Sequence, residues 1–211
     1  MLVEGFRVNL NLKTVALIGL MGALGNVLFA ISAPLLSWTG GIVGISLDLS
    51  HIGTMLAAIF GGPIAGLLTG FIVGILPGVW FGFVVGGAGV LALLCLPIGK
   101  ALTGLTVGLL CSAFKIARRV KWRSVLTLVS VLIGYIPEML FTILYFMYLL
   151  PLFVGSTIAF AIMLAVIAKA WVEMAIISLL MGSLVGNEGF IGVVERYFAP
   201  GWSTSIKSRE G

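Results

Sequence analysis

Long apolar segments, separated by short polar connections, cover most of the chain. Six of them can be drawn, at roughly 14–36, 42–60, 63–85, 89–113, 124–150 and 157–185. A membrane-spanning helix takes about 20 apolar residues, so segments of this length predict transmembrane helices. Charged residues make up only 9% of the chain, and hydrophobic residues 61%. A soluble domain has about 25% charged residues, so composition also excludes a soluble globule.

We therefore predict an all-α membrane bundle of six transmembrane helices. A length of 211 residues allows one compact bundle, so residues 1–211 are expected to form a single integral membrane domain with short tails at about 1–13 and 186–211. The N-terminus lacks a small-residue cleavage site, which indicates a retained first helix rather than a signal peptide. The region 187–200 carries aromatic and aliphatic residues among polar ones and predicts a short helix along the membrane surface.

The second and third apolar segments have the pattern of a hairpin with a polar start. Asp48 and His51 lie one helical turn apart at the beginning of the first limb. Gly61, Gly62 and Pro63 then break the apolar run and predict a reversal of the chain. Gly66 and Gly70 follow at the small-residue spacing that lets transmembrane helices pack closely.

Two prolines inside apolar segments predict helix breaks. Pro77 and Gly78 lie in the third segment, so we expect its last part to be a loop. Pro137 lies in the fifth segment and is expected to bend the helix and present Glu138.

Basic residues are concentrated on one side of the predicted bundle. Ten of the twelve Lys and Arg residues fall on the side that contains the N-terminus: Arg7, Lys13, Lys115, Arg118, Arg119, Lys121, Arg123, Arg196, Lys207 and Arg209. The connections on the opposite side, at 37–41, 78–88 and 151–156, contain neither Lys nor Arg. The positive-inside rule therefore predicts a multi-pass protein of the plasma membrane with both termini in the cytoplasm.

Five ionisable residues fall inside the apolar segments. The two remaining basic residues are Lys100 and Lys169, and the acids at similar depth are Asp48, Glu138 and Glu173. A charge at the centre of a membrane helix costs about 2.5–3.5 kcal/mol on insertion scales, so each side chain is expected to face protein, water or a partner. One interpretation is a set of structural ion pairs, including Lys169 with Glu173 at a spacing of four. The functional interpretation is a polar pocket in the outer half of the bundle that binds a small solute.

Aromatic residues accompany these charges. Tyr135 lies near them and is suited to stack against a flat ring. Trp38 and Trp80 fall at the predicted outer edge, where they either border the pocket or form an interfacial belt. His51 has no second histidine or cysteine at ligand spacing, so we predict a hydrogen-bonded histidine at a helix start and no metal site.

No enzyme motif accompanies this pattern. The chain contains no HExxH, no GxSxG with a partner histidine and no P-loop. We therefore predict a protein that is not an enzyme, holds no cofactor, does not bind nucleic acid and depends on partners for energy. Its membrane-embedded surface is expected to contact lipid.

Two stretches of the hairpin carry a resemblance to a known family. Leu47-Asp-Leu-Ser-His-Ile-Gly and Ala57-Ala-Ile-Phe-Gly-Gly-Pro-Ile-Ala-Gly66 resemble the start and the Gly-Pro reversal of S components of energy-coupling factor (ECF) vitamin transporters, of the riboflavin, folate and pantothenate type. The likeness extends to length, helix count and orientation. It implies a substrate-binding subunit of an ABC-type importer that captures a water-soluble vitamin outside the cell. Its implied partners are a membrane coupling subunit and two cytoplasmic ATPase subunits.

The resemblance also implies where ligand and partner bind. It implies a pocket formed by the loop Ser37–Ser46 acting as a lid, the loop near Trp80 and the outer halves of the last three helices. Members of the family carry Asn-x-x-Lys in the last helix; here Lys169 is present but Val166 replaces the asparagine. A small-residue face on the first helix contacts the coupling subunit in the family, and the corresponding positions here are Ala16, Gly19, Gly22 and Ala23.

We expect the solute to be bound by nine residues: Trp38, Asp48, His51, Trp80, Lys100, Tyr135, Glu138, Lys169 and Glu173. Riboflavin is the first candidate, from the Leu-Asp-Leu-Ser start and the buried lysine. Two alternatives stay open at this point. One is a self-contained proton-coupled carrier in which Glu138 or Glu173 titrates, and the other is an intramembrane enzyme on a lipid with Asp48 and His51 as acid and base.

Overall fold

The computed structural model describes residues 12–37, 48–84, 88–155 and 160–198, and these residues are helical with no strand. Nine α-helices follow one another in the described residues: α1 Leu12–Ser37, α2 His51–Gly61, α3 Pro63–Val79, α4 Gly89–Ala113, α5 Arg123–Gly134, α6 Ile136–Leu144, α7 Leu150–Val154, α8 Phe160–Gly186 and α9 Glu188–Tyr197. Short π-helical turns extend α3 over Trp80–Val84 and join α6 to α7 over Tyr145–Leu149. A 3-10 turn, Ile116–Arg118, follows α4.

Five helical segments of the described chain are long and apolar enough to cross a membrane. They are Leu12–Ala33, Pro63–Val84, Gly89–Arg118, Arg123–Val154 and Met163–Gly186. The expectation of an all-α membrane protein is therefore confirmed. Helix α2 has 11 residues and extends about 16 Å, which is about half of the hydrocarbon core. Since 42–47 lie outside the described residues, six spans and cytoplasmic termini stay predictions.

Helix α2 thus begins at mid-depth of the bundle rather than at its surface. Its C-terminal end meets the reversal, where Gly62 adopts φ 85° and Pro63 opens α3. A positive φ favours glycine, and proline at a first helical position loses no hydrogen bond. The expected hairpin is therefore present, with a first limb of 11 residues and a second limb, Pro63–Val84, of 22 residues.

The expectation of a loop after Pro77 is wrong. Pro77 and Gly78 are both buried inside α3, and the helix continues to Val84 through the π-helical turn. The N–H of Trp80 reaches the carbonyls of Leu76 and Pro77, so local rewinding satisfies backbone groups near the proline. Packing against a neighbouring helix therefore outweighs the local tendency of proline to end a helix.

The second predicted break is confirmed. Helix α5 ends at Gly134, Tyr135 lies between the two helices, and α6 begins with Pro137 in its first turn. Glu138 follows in the same turn. The interruption therefore presents this acid at the middle of the segment Arg123–Val154.

Helices α3 and α4 meet through backbone atoms along their whole length. Glycines recur at every fourth position of α3, and a Cβ atom on them would overlap the backbone of α4: Gly66 against Gly104, Gly70 against Lys100 and Gly74 against Pro97. In the opposite direction, a Cβ atom on Gly104 would overlap the carbonyl of Gly66. Small residues at this spacing allow the closest approach of transmembrane helices. The two helices therefore form one rigid layer.

The helices fall into two groups. The N-terminal group, α1–α4, is organised around α3, which packs against α1, α2 and α4. The C-terminal group in chain order, α5–α9, contains α8, which packs against α5 and α9, whereas α6 packs mainly against α4 of the N-terminal group. The apolar core lies between the groups and includes Met55, Val107, Val131 and Ile177, each fully buried. A site that uses residues of both groups is therefore closed off on one side by this apolar core.

Helix α9 closes the end of the bundle opposite the start of α2. Asn187 caps it, since its side chain accepts a hydrogen bond from the N–H of Phe190 at 3.0 Å. Ile191 is buried, and the Phe190 ring meets that of Phe60 edge to face with centroids 6.0 Å apart. A short helix is thus present within the predicted region 187–200; its contact with a membrane surface stays a prediction.

Candidate solute-binding site: a buried network of charged residues

The site is built around the start of α2. Asp48 Oδ1 accepts a hydrogen bond from the N–H of Ser50 at 2.9 Å, a local turn that aspartate stabilises next to a helix. Gly53 and Gly25 allow α2 and α1 to touch through their backbones just beyond this turn. The start of α2 is therefore held firmly in the interior, with Asp48 directed at the neighbouring helices.

Lys100 of α4 is the first partner of this turn. Its Nζ donates to Asp48 Oδ2 at 2.6 Å and to Ser50 Oγ at 2.7 Å. Lys100 is only 3% exposed, and the absence of a side chain at Gly70 lets its backbone lie against α3. Paired and hydrogen-bonded in this way, the ammonium avoids the cost of an isolated charge in the interior.

Glu138 of α6 is the second partner. Its Oε1 lies 3.4 Å from His51 Nε2, and its Oε2 accepts a hydrogen bond from Thr103 Oγ1 at 2.5 Å. The Glu138 side chain lies beside Gly99, where a Cβ atom would be in ordinary van der Waals contact with Glu138 Cγ at 3.4 Å. Glu138 therefore ties the first turn of α6 to both α2 and α4.

Glu173 of α8 completes the network. Its Oε1 accepts the backbone N–H of Asp48 at 2.6 Å and lies 3.1 Å from Lys169 Nζ one turn away. The pair expected from the spacing of four is therefore present. Glu173 is buried, whereas the side chain of Lys169 is 25% exposed. Lys169 is thus the more accessible of the two lysines.

Three rings line one side of this network. The rings of Tyr135 and His51 are nearly perpendicular, with centroids 6.4 Å apart, and those of Tyr135 and Trp171 are arranged in the same way at 5.4 Å. The indole Nε1 of Trp171 donates to Met139 Sδ at 3.3 Å. Edge-to-face contacts of this kind fix the rings, so the network has an aromatic wall of defined orientation.

The structure brings together seven of the nine predicted site residues: Asp48, His51, Lys100, Tyr135, Glu138, Lys169 and Glu173. It does not place Trp80 among them. Trp80 lies ten residues beyond Gly70, roughly 15 Å farther along α3 than the level of Lys100. Trp38 and the predicted lid, Ser37–Ser46, lie outside the described residues apart from the helical backbone of Ser37.

Two polar residues of the network were not predicted from the sequence. Ser50 and Thr103 both contribute hydroxyl donors or acceptors to the charged groups. The sequence contains a signal for each: Ser50 stands two residues after Asp48, the spacing of an aspartate turn, and Thr103 stands three residues after Lys100 on one helix face. Within the described ranges, no three His, Cys, Asp or Glu side chains converge as a metal site requires.

The predicted partner surface on α1 divides into two faces. Ala16, Gly19 and Ala23 are exposed, and a Cβ atom on Gly19 would meet nothing within 4 Å. Gly22 is buried instead and faces the side chain of Ile72 of α3. Asn26 adds a hydrogen bond from Nδ2 to the carbonyl of Ile72 at 3.2 Å. The exposed face is therefore open to a partner or lipid, while the opposite face packs within the bundle.

Comparison with protein families agrees with the resemblance seen in the sequence. The family model for the ECF transporter substrate-specific component matches residues 13–185. This range includes the whole charged network and every candidate partner residue of α1, so the chain belongs to this family. It is a substrate-specific component of an ECF importer, a class of binding subunits rather than enzymes. Comparisons with curated proteins and with solved structures give no match.

Proposed function

We propose that this protein captures a small water-soluble vitamin or a related ring compound from outside the cell and holds it at the charged network. Import then requires a membrane coupling subunit and two ATPase subunits. Membership of the family of ECF substrate-specific components supports a solute-binding subunit of an importer. The convergence of charged side chains from both helix groups around the start of α2 supports this location for the solute.

The physical argument for this location is the cost of burying the charges. Five ionisable side chains at mid-depth are expensive, and their pairing only offsets that cost. A bundle that needed stability alone would pack apolar residues there at equal or greater stability. In a family of solute-binding subunits, polar side chains kept inside the bundle are best explained by a solute that uses them.

Lys169, the more accessible lysine of the network, is the expected point of first contact for the solute. Lys169 keeps a quarter of its side chain exposed and makes one ion pair, so its ammonium has donors left for a solute. The Tyr135 and Trp171 rings, in contact with each other, and the His51 ring next to Tyr135 provide an aromatic surface at the same network. This combination of a few polar groups with an aromatic wall is typical of small-molecule sites.

We further propose that the coupling subunit binds the exposed face of α1 formed by Ala16, Gly19 and Ala23. Small residues there permit close helix contact. Gly22 supports this face from behind, because it keeps α1 close to α3. Replacing Gly19 by Leu is expected to weaken assembly with the coupling subunit without changing solute binding, which a pull-down and a binding assay measure separately.

The test of the proposed function is purification of the full chain from cells grown in rich medium, followed by mass spectrometry of retained small molecules. Riboflavin is the first compound to look for, and its yellow colour and fluorescence report it directly. Uptake is then measured in vesicles with and without the coupling subunit and ATPases. The proposal predicts ATP-dependent uptake only with partners; uptake by the chain alone that collapses with a protonophore would contradict it.

A matched pair of variants locates the site. Lys169→Gln is expected to change solute affinity, whereas Lys121→Gln, on an exposed connection between α4 and α5, is expected to have no effect. Both substitutions remove one positive charge, so a difference between them reports position rather than net charge. Unchanged affinity in the double variant Lys100→Gln, Lys169→Gln would place the solute elsewhere.

A further inference from the structure

The connection between α4 and α5 is strongly basic. Residues 114–123 contain no Asp or Glu and five basic residues: Lys115, Arg118, Arg119, Lys121 and Arg123. Arg123 is buried, and the other four are exposed. None of these four forms an ion pair within the described part of the chain. The connection therefore presents four positive charges close together in sequence without an acidic partner among the described residues.

Successive turns order the backbone of this connection. Lys115 adopts φ 50° at its start, and the N–H of Arg118 donates to the carbonyl of Lys115 at 2.9 Å. The N–H of Trp122 donates in the same way to the carbonyl of Arg119 at 3.0 Å. The Cα atoms at the two ends of such a turn lie within about 7 Å of each other. Lys115 is therefore held close to Arg118, and Arg119 close to Trp122.

Two buried side chains fix the connection to the bundle. Ile116 belongs to the apolar core between the helix groups. Arg123 is buried, and its Nη2 donates to the carbonyl of Gly186, at the end of α8, at 3.4 Å. Because the connection is anchored in this way, its exposed charges have little freedom to move apart. Like charges held together repel each other, so an anion that binds among them is stabilised.

The connection lies where two candidate membrane-spanning segments end. The segment Gly89–Arg118 ends within it, and the segment Arg123–Val154 begins at its last residue. Leu109, near the end of α4, and Val125, in the first turn of α5, are exposed apolar side chains on either side of it. Apolar surface of this kind faces lipid in a membrane protein, so the charges lie at the level of the lipid headgroups.

Exposed apolar side chains accompany the charges. Trp122 is 58% exposed, and Val120 is exposed as well. Tryptophan is enriched at the membrane–water interface, where its ring lies among the headgroups. Clusters of Lys and Arg directly beside a membrane helix bind anionic lipids. A free anion in water would gain nothing from the exposed indole, so the combination favours a lipid headgroup over free phosphate.

We propose that the connection 114–123 binds the headgroup phosphate of an anionic phospholipid, such as phosphatidylglycerol, on the predicted cytoplasmic side. Arg118 and Arg119 suit this role, because a guanidinium donates two parallel hydrogen bonds to a phosphate. The positive-inside rule explains only the sign of the charges, whereas a lipid site also explains the ordered backbone and the exposed Trp122.

This lipid site goes beyond the proposed function and does not depend on it. Solute capture is assigned to the network at the start of α2, and the face proposed for the coupling subunit belongs to α1, which packs against α2 and α3. The connection joins α4 to α5 instead. Solute affinity is therefore expected to be the same in wild type and in variants of the connection.

The test measures lipid binding by the full chain without partner subunits. The chain is placed in nanodiscs of equimolar phosphatidylglycerol and phosphatidylcholine, and native mass spectrometry after release counts the lipids of each kind that stay bound. We expect wild type to retain phosphatidylglycerol preferentially. Higher salt before release is expected to reduce this preference, since salt screens exposed charges. Titration with phosphatidylglycerol in an uncharged detergent gives the dissociation constant.

Two double variants that each remove two positive charges locate the site. Arg118→Gln with Arg119→Gln is expected to raise the dissociation constant by about 30-fold, because each basic residue near an anionic surface contributes about fivefold. Lys13→Gln with Arg196→Gln is the control and is expected to change it far less. Lys13 and Arg196 are exposed, and each is the only Lys or Arg within five positions along the chain.

A third variant separates charge from shape. Arg118→Lys with Arg119→Lys keeps both charges and is expected to retain most of the binding. Thermal unfolding in the uncharged detergent checks folding, and no change is expected because these side chains are exposed. Should the Gln variant fail to fold, the lipid preference of wild type and its salt dependence still decide the question.

Several results would overturn the proposal. They include equal retention of the two lipids by wild type, no effect of salt, and equal losses in the two variants that remove charge. Release of the lipid by inorganic phosphate at the same concentration would assign the connection to a small anion. Unchanged lipid retention in Arg118→Gln with Arg119→Gln, together with lost capture of the coupling subunit, would assign it to a protein partner.

Discussion

Replacing Lys100 by methionine tests whether the buried bridge to Asp48 holds the start of α2 in place. Methionine has nearly the length of lysine and no charge, so packing against Gly70 is retained while both hydrogen bonds of Nζ are lost. Asp48 then keeps the N–H of Ser50 as a neighbour but loses its counter-charge in the interior. Removing one partner of a buried pair costs about 3–5 kcal/mol, and the remaining hydrogen bond favours the lower end of this range.

The measurement is reversible unfolding in mixed micelles, performed on Lys100→Met, Asp48→Asn and the double variant. Because the double variant leaves no unpaired charge, its loss of stability is expected to be smaller than the sum of the two single losses by at least about 1 kcal/mol. Lys121→Met is the control, since this lysine is exposed and its change is expected within about 0.5 kcal/mol of zero. A cost for Lys100→Met no larger than that of the control, or additive single effects, would refute the reasoning.

Three further predictions follow from other parts of the fold. Gly104→Ala places a methyl group against the carbonyl of Gly66 and is expected to lower the free energy of unfolding by about 1–3 kcal/mol. Gly19→Ala is the control, since the added methyl group meets nothing within 4 Å, and it is expected to be neutral or stabilising. Equal effects of the two substitutions in the same unfolding assay would argue against the close contact between α3 and α4. Asn187→Ala removes the cap of α9, so amide hydrogen exchange over 188–197 is expected to accelerate by about fivefold, corresponding to about 1 kcal/mol. Unchanged exchange would show that the cap contributes nothing to the stability of α9. Lys121→Cys in a cysteine-free background is expected to react with an impermeant maleimide only in inverted vesicles; reaction in right-side-out vesicles would reverse the predicted orientation.

The members of the charged network could be predicted from the sequence because a membrane leaves few explanations for a charge. Lys100, Lys169 and Glu173 stand out in apolar segments where each is costly. Their convergence followed from the requirement that each face protein or a partner. The network joins residues as far apart as Asp48 and Glu173, 125 positions along the chain. The cost of burying a charge therefore indicates residues that are far apart in the chain and close together in the fold.

The choice of partners within the network could not be predicted. Asp48 and His51 are one helical turn apart, yet Asp48 contacts Lys100 and His51 contacts Glu138. That choice depends on how closely α4 approaches α3, which the glycine contacts decide in three dimensions. The loop after Pro77 was wrongly predicted for the same reason, since a tightly packed neighbour keeps α3 helical beyond the proline.

The division of ion pairs between the two helix groups has a consequence for how the protein assembles in the membrane. Lys100 finds Asp48 within the first group to be synthesised, and Lys169 finds Glu173 on its own helix. Each lysine can therefore enter the bilayer already neutralised, before the groups meet. Glu138, in contrast, has the donors His51 and Thr103 in the earlier group, so we expect its carboxylate to be satisfied only after the two parts of the bundle meet.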